Sequence, residues 1–146
     1  MEPVSVSHLA TALALSLTFG GMTFFSAVVA PVVFTRLPPE TAGRFIREMS
    51  SWYYLTMGAT TLLALLAMTA AQHHSLTLEA ILTLGVLSGF ILARQVLMPS
   101  INRARDAELA GQDGAERRFA RLHRTSVLLN GCQWLATLAA LVLVLS

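Results

Sequence analysis

The sequence predicts an all-α integral membrane protein, an up-down bundle of four helices with both termini extracytoplasmic, and three observations carry that prediction. Hydrophobic residues make up 55% of the 146 and charged residues only 12%, where a soluble domain carries about a quarter charged. The apolar residues gather into four blocks, near 9–34, 45–71, 76–98 and 122–145. Each is long enough to cross a hydrocarbon layer ~30 Å thick at ~1.5 Å per residue. All ten basic residues are arginines lying in or beside the two connections 35–44 and 99–121. Short cytoplasmic loops retain positive residues, so both connections are expected inside, with Met1, His73 and Ser146 outside. The net charge of +2 then follows from topology, and no nucleic-acid partner is expected.

The first block is expected to be a retained helix, because Met1 to Ser7 carries Glu2 and no basic residue and the apolar run exceeds that of a signal peptide. Ala12, Ser16, Gly20, Thr23, Ala27 and Ala30 recur at helical spacing. Such a face of small residues lets backbones approach in lipid, as a seam within the bundle or between copies of the chain. Pro31 is a candidate bend.

Pro38-Pro39-Glu40 is a helix-start signal, so the second helix is expected from near Glu40 to Ala71. Glu40, Arg44 and Glu48 have the i,i+4 spacing of a water-exposed helical surface. Trp52, Tyr53 and Tyr54 fall at headgroup depth, as aromatic anchors.

The third helix follows the polar break at Gln72-His73-His74-Ser75 and reaches Pro99, where a kink is expected. Arg94 sits near enough to the inner boundary to snorkel. Ala110 to Gly114 reads as a loop, with Asp113 as a candidate cap for a basic amphipathic lead-in to the fourth helix. The halves show no convincing sequence repeat. Cys132 is unpaired and expected to be buried as a small hydrophobe.

On the fourth helix His123, Ser126, Asn130, Gln133 and Thr137 share one face. Amides and imidazoles lack partners in lipid, so the stripe is expected to turn into the bundle. Ser88, Gln95 and Asn102 recur every seven residues on the third helix and face it in this reading. A cytoplasm-facing pocket bounded by Gln95, Asn102, His123 and Asn130 follows, with Ser126 and Arg94 completing the candidate ligand-binding set. The same polar groups also serve as interhelical glue. At the opposite surface His8, His73 and His74 form a candidate metal site for zinc or copper.

The chain carries no HExxH, CxxC, GxSxG, GxGxxG or phosphate-binding loop, which removes the commonest hydrolytic, nucleotide and thiol chemistries and leaves no candidate catalytic residue. Haem remains open, since it needs only one or two axial side chains, here His123 with Met57 or Met98.

Gly20-Gly21, Phe24-Phe25, Val28-Val29-Ala30-Pro31, Phe34, Leu37-Pro38, Ala42-Gly43 and Trp52-Tyr53-Tyr54, followed by Met98-Pro99-Ser100-Ile101-Asn102, Arg105 and Arg118-Phe119 with His123, Ser126 and Asn130, resemble the transmembrane protein 205-like domain. The resemblance spans nearly the whole chain and implies a four-helix membrane domain without an assigned activity. Met98 stands where relatives carry an acidic residue before the proline. Three roles are therefore expected: binding or assisting transport of a small molecule or ion at the pocket, haem-dependent oxidoreduction, or a scaffold presenting its arginines to a partner. The lipid bilayer of a bacterial inner membrane is the expected setting, with a homo-oligomer formed through the small-residue face of the first helix.

Overall fold

A computed structural model describes residues 5–71 and 77–146. Four long helices account for nearly all of them: α1 (Val6–Arg36), α2 (Pro39–Ala71), α3 (Leu78–Leu109) and α4 (Ala115–Leu145). All four are long and apolar enough to cross a membrane. The chain is an integral membrane protein.

The helices form a ring in which α1 and α3 each pack against both α2 and α4. Large apolar side chains cover the outside, from Leu9 to Val32 on α1, Trp52 to Leu66 on α2, Leu78 to Val96 on α3 and Val127 to Leu145 on α4. This belt matches the hydrocarbon thickness. The helices run on beyond it at one end, where α2 begins at Pro39, α3 ends at Leu109 and α4 begins at Ala115. At ~1.5 Å per residue these extensions reach ~15–20 Å past the belt, and they carry eight of the ten arginines, with Arg36 at the end of α1 and Arg94 at the edge of the belt on α3.

Beside each of the two prolines expected to bend a helix lies a specific backbone device. Helix α1 widens into a π turn at Phe25–Val29, with the Ala30 amide donating to the Phe25 carbonyl. Helix α3 does the same at Ala93–Leu97, with the Met98 amide donating to Ala93. Pro31 and Pro99 follow each turn by two residues. A proline has no N–H for the carbonyl four residues back and its ring crowds that carbonyl, so the preceding turn opens.

The two π turns belong to a structural repeat that the sequence hides. Moving along the chain from Phe25 to Ala93 carries the α1 turn onto the α3 turn, Pro31 onto Pro99, and Gly21 onto Gly89. The same shift takes the buried Leu15, Thr18 and Met22 onto the buried Thr83, Val86 and Phe90. On the partner helices Met57, Thr61, Ala64 and Met68 correspond to Gln133, Thr137, Ala140 and Val144, all buried. The bundle is thus two equivalent hairpins, α1–α2 and α3–α4, about a common axis. Residue types agree at four of the nine pairs, Gly21 with Gly89, Pro31 with Pro99, Thr61 with Thr137 and Ala64 with Ala140, and the connecting segments differ in length, so the repeat shows more clearly in backbone and burial than in sequence.

Several expectations change. The small-residue face of α1 is not the internal seam: Ser16, Gly20, Thr23 and Ala27 are exposed, and the buried side of α1 is Thr11, Leu15, Thr18 and Met22. Of the three aromatics on α2, only Trp52 faces outward, 67% exposed. Tyr53 and Tyr54 turn into the bundle, where both pack near Phe90. Cys132 is exposed on the belt rather than buried. Gly114, in the left-handed region at φ 74°, caps α4 in place of Asp113, and Gly111 adopts φ 71° in the same turn. Both values suit a residue without Cβ. Arg44 makes no ion pair with Glu40 or Glu48 among the described residues.

Candidate functional site

Below the π turns the ring loosens. The last turns of α1 pack on α2, and the extension of α3 packs on α4, so the two hairpins draw apart and leave a cavity of about 910 Å³ between them. All four helices line it. The volume falls in the range of small-molecule sites.

Its floor lies at the edge of the apolar belt. Tyr53 donates its hydroxyl to Asn130 Oδ1 across the bundle axis at 2.8 Å, and Asn130 Nδ2 donates to Ser26 Oγ on α1 at 3.3 Å. Phe25 stacks on Tyr53 at 4.3 Å between centroids, and Tyr54 meets Tyr53 edge-on at 5.3 Å. A hydrogen-bonded amide is thereby set in an aromatic floor.

Some seven residues outward along α4, or ~10 Å, the walls become charged. Arg47 grips Asp106 on α3 through both guanidinium nitrogens, at 2.6 and 3.4 Å. Arg105 donates to Glu108 Oε2 at 2.7 Å, and its guanidinium carbon lies 5.3 Å from the Phe119 ring centroid. That ring stacks in turn on His123, 5.9 Å away. Arg44 completes the layer with no partner among the described residues.

Of the residues expected at a pocket, the structure brings Asn102, His123, Ser126 and Asn130 together in its walls. The α4 stripe does turn inward: Gln133 and Thr137 continue it above the floor, both buried. Gln95 and Arg94 do not line the cavity. Ser88 and Gln95 are exposed, because the π turn adds a residue to its turn and rotates everything beyond it by ~100°, which breaks the seven-residue register with Asn102. Arg94 is half-buried, its Nε without a hydrogen-bond partner among the described residues. His8 is exposed near the start of α1, at the far end of the bundle. His73 and His74 lie outside the described residues, and with them the candidate metal site. Met57 packs its thioether against the notch at Gly21, while Met98 lines the cavity.

Sequence reasoning did not assign Tyr53, Ser26, Arg44, Arg47 or Arg105 to the site. Tyr53 did leave a signal, since Tyr53, Met57, Thr61, Ala64 and Met68 repeat at helical spacing. The position of Ser26 depends on the π turn, for which Pro31 was the available cue.

Fold and site together define a four-helix integral membrane protein with a cavity at the arginine-bearing end of its bundle. The chain belongs to a family described as a domain of unknown function, DUF4149, whose model matches residues 13–109. The matched segment contains both π turns and ends before α4. No curated protein and no solved structure matches the chain.

Proposed function

We propose that the chain binds a small molecule or ion in this cavity, from the cytoplasmic side of a bacterial inner membrane, either for itself or as an accessory to transport. The observation that carries the reading is the hydrogen-bonded Tyr53–Asn130–Ser26 floor beneath a charged, water-accessible wall. Structural glue has no need of a cavity of this size, because packing alone closes a bundle more tightly. The gathering of every arginine at the cavity end supports a cytoplasmic mouth, with His8 and Ser146 on the outer side. The resemblance of Phe119, His123, Ser126 and Asn130 to the transmembrane protein 205-like pattern supports the same site.

The test uses the full chain in nanodiscs with Cys132→Ala and Ser126→Cys. The introduced thiol is expected to react with a water-soluble maleimide and to be protected by a ligand found by thermal-shift screening. A cavity thiol that the maleimide never reaches ends the proposal.

A second reading rests on His123 and Met98 lining the same cavity, a pair of the kind that holds haem iron. It predicts a Soret band in the purified protein that is lost in His123→Ala. A colourless preparation that also fails to take up added haemin removes it.

A further inference from the structure

The cavity walls sort by chemistry, and the sorting carries an inference about the ligand that rests on the binding reading above. Near the floor lie Phe25, Tyr53, Tyr54 and the Asn130 amide. Farther out Phe34, at the end of the apolar stretch of α1, and Leu109, at the tip of the α3 extension, stand in the cavity wall at 58% and 69% exposure. Leu109 is an apolar side chain bared on a part of the molecule that projects from the membrane, and with Phe34 below it on the same wall it marks a place for an apolar partner. A bare inorganic ion would leave them uncovered.

Between floor and mouth sits the charged layer. Asp106 is already neutralised by Arg47, and Glu40 stands about a turn beyond Arg44 at the mouth. Arg44 from α2, Arg105 from α3 and His123 from α4 converge on the cavity from three helices. Glu108, the partner of Arg105, does not line it. Arg44 has neither carboxylate nor hydrogen bond among the described residues.

We infer that the ligand is an amphipathic anion, with a phosphate or carboxylate held by Arg44, Arg105 and His123 and an apolar body reaching the Phe25–Tyr53 floor. The ~10 Å between charged layer and floor sets a length. With carbon–carbon bonds near 1.5 Å an extended chain advances about 1.25 Å per carbon, so about eight carbons fill it. The anion comes from the cytoplasm or from the adjacent leaflet. A leaflet route would enter between α1 and α4: Arg47–Asp106 ties α2 to α3, whereas below Ser26–Asn130 no hydrogen bond or ion pair joins α1 to α4 among the described residues.

The experiment takes the same nanodisc sample and measures how far the thiol introduced by Ser126→Cys is protected from maleimide by inorganic phosphate and by butyl, octyl and hexadecyl phosphate. Octyl glucoside, below its micellar concentration, is the uncharged control. Affinity is expected to rise about fourfold per methylene from butyl to octyl. A plateau beyond octyl identifies a soluble acid, and a continued rise to hexadecyl identifies a lipid of the leaflet. Arg44→Gln is expected to weaken octyl phosphate about tenfold, as loss of a charged hydrogen-bond donor does, while Arg121→Gln, outside the cavity, leaves it unchanged. Equal protection by inorganic and octyl phosphate overturns the apolar half of the inference, and equal protection by octyl phosphate and octyl glucoside overturns the anionic half. A reactive cavity thiol that none of these probes protects overturns the ligand class while the cavity itself stands.

Discussion

The two hairpins share a backbone plan and differ in what fills it. In the first, a Cβ built on Gly21 would meet the Met57 Cε and Sδ at 2.6 and 2.8 Å; in the second, one on Gly89 would meet the Gln133 amide, with Nε2 at 2.8 Å and Cδ at 3.0 Å. Each notch receives a side chain from the corresponding place on the neighbouring helix. Methionine fills its notch with an unbranched, adaptable chain. Gln133 is held by the hydrogen bond its Nε2 donates to the Val86 carbonyl at 3.0 Å, while its buried Oε1 has no partner among the described residues. One turn below, the first hairpin carries Tyr54 where the second carries Asn130, and farther out Arg47 occupies the place of His123. The scaffold is therefore close to two-fold while its polar chemistry is not. Packing of two like hairpins builds the cavity; the α4 stripe, the half without its likeness in α2, gives it an amide and an imidazole.

The comparison breaks most visibly at the glycines. Gly89→Ala is expected to cost about 2–4 kcal/mol, because the intruding Cβ both overpacks the seam and displaces the Gln133 amide from the Val86 carbonyl. Gly21→Ala is expected to cost about 1 kcal/mol, since Met57 can swing aside. Reversible unfolding in mixed micelles measures both, and equal losses would mean that the notch fillings do not differ in stiffness. Gln133→Met should recover part of the Gly89→Ala loss.

A smaller asymmetry lies one layer down. Asn130→Leu removes the acceptor of Tyr53 and the donor to Ser26, for an expected loss of about 1–3 kcal/mol. Tyr54→Phe, at the equivalent place, removes a hydroxyl with no hydrogen bond among the described residues and should cost less than about 1 kcal/mol. The same unfolding assay separates them. A larger loss from Tyr54→Phe would reassign the floor.

The Arg47–Asp106 pair has no counterpart across the other seam, where the repeat sets His123 against Pro38. The two side chains are 39% and 58% exposed, so solvent screens them and Asp106→Asn is expected to cost only about 0.2–1 kcal/mol. Its clearer effect is on access: in the Ser126→Cys chain, maleimide should reach the cavity thiol faster once the second seam is untied. An unchanged rate would show that the pair does not restrain the mouth.

The smallest effect sharpens the likeness. Thr61 and Thr137 donate to the carbonyls of Met57 and Gln133 on their own helices, at 2.7 and 2.8 Å. Each replaced by valine is expected to lose no more than about 0.6 kcal/mol, in line with polar contacts inside membrane bundles. Losses differing by more than about 1 kcal/mol would argue against the two sites being equivalent.

Four spanning helices and the inward α4 stripe were legible in the sequence, because each depends on local composition or periodicity; Pro31 and Pro99 were noted singly, and their equivalence was not. The register of the third helix was not. Gln95 was expected beside Asn102 on the rule of seven, and a single added residue in the π turn sends the two to different faces. Seam selection on α1 failed for a related reason: in lipid both small and large side chains can be buried, and Leu15 and Met22 are buried in the bundle while a Cβ built on Gly20 would meet no other helix within 4 Å. Tyr53 looked like a surface anchor because depth is readable from sequence and rotation about the helix axis is less so.

The outward thiol of Cys132 makes the wild-type chain its own depth gauge. With a single cysteine in the sequence, a nitroxide or fluorophore attached there reports immersion through paramagnetic quenchers of known lipid position. Asn130 lies only two residues away on the same helix, so that reading also fixes how far the cavity floor sits below the lipid carbonyls, and with it how many carbons of a bound chain lie level with the bilayer.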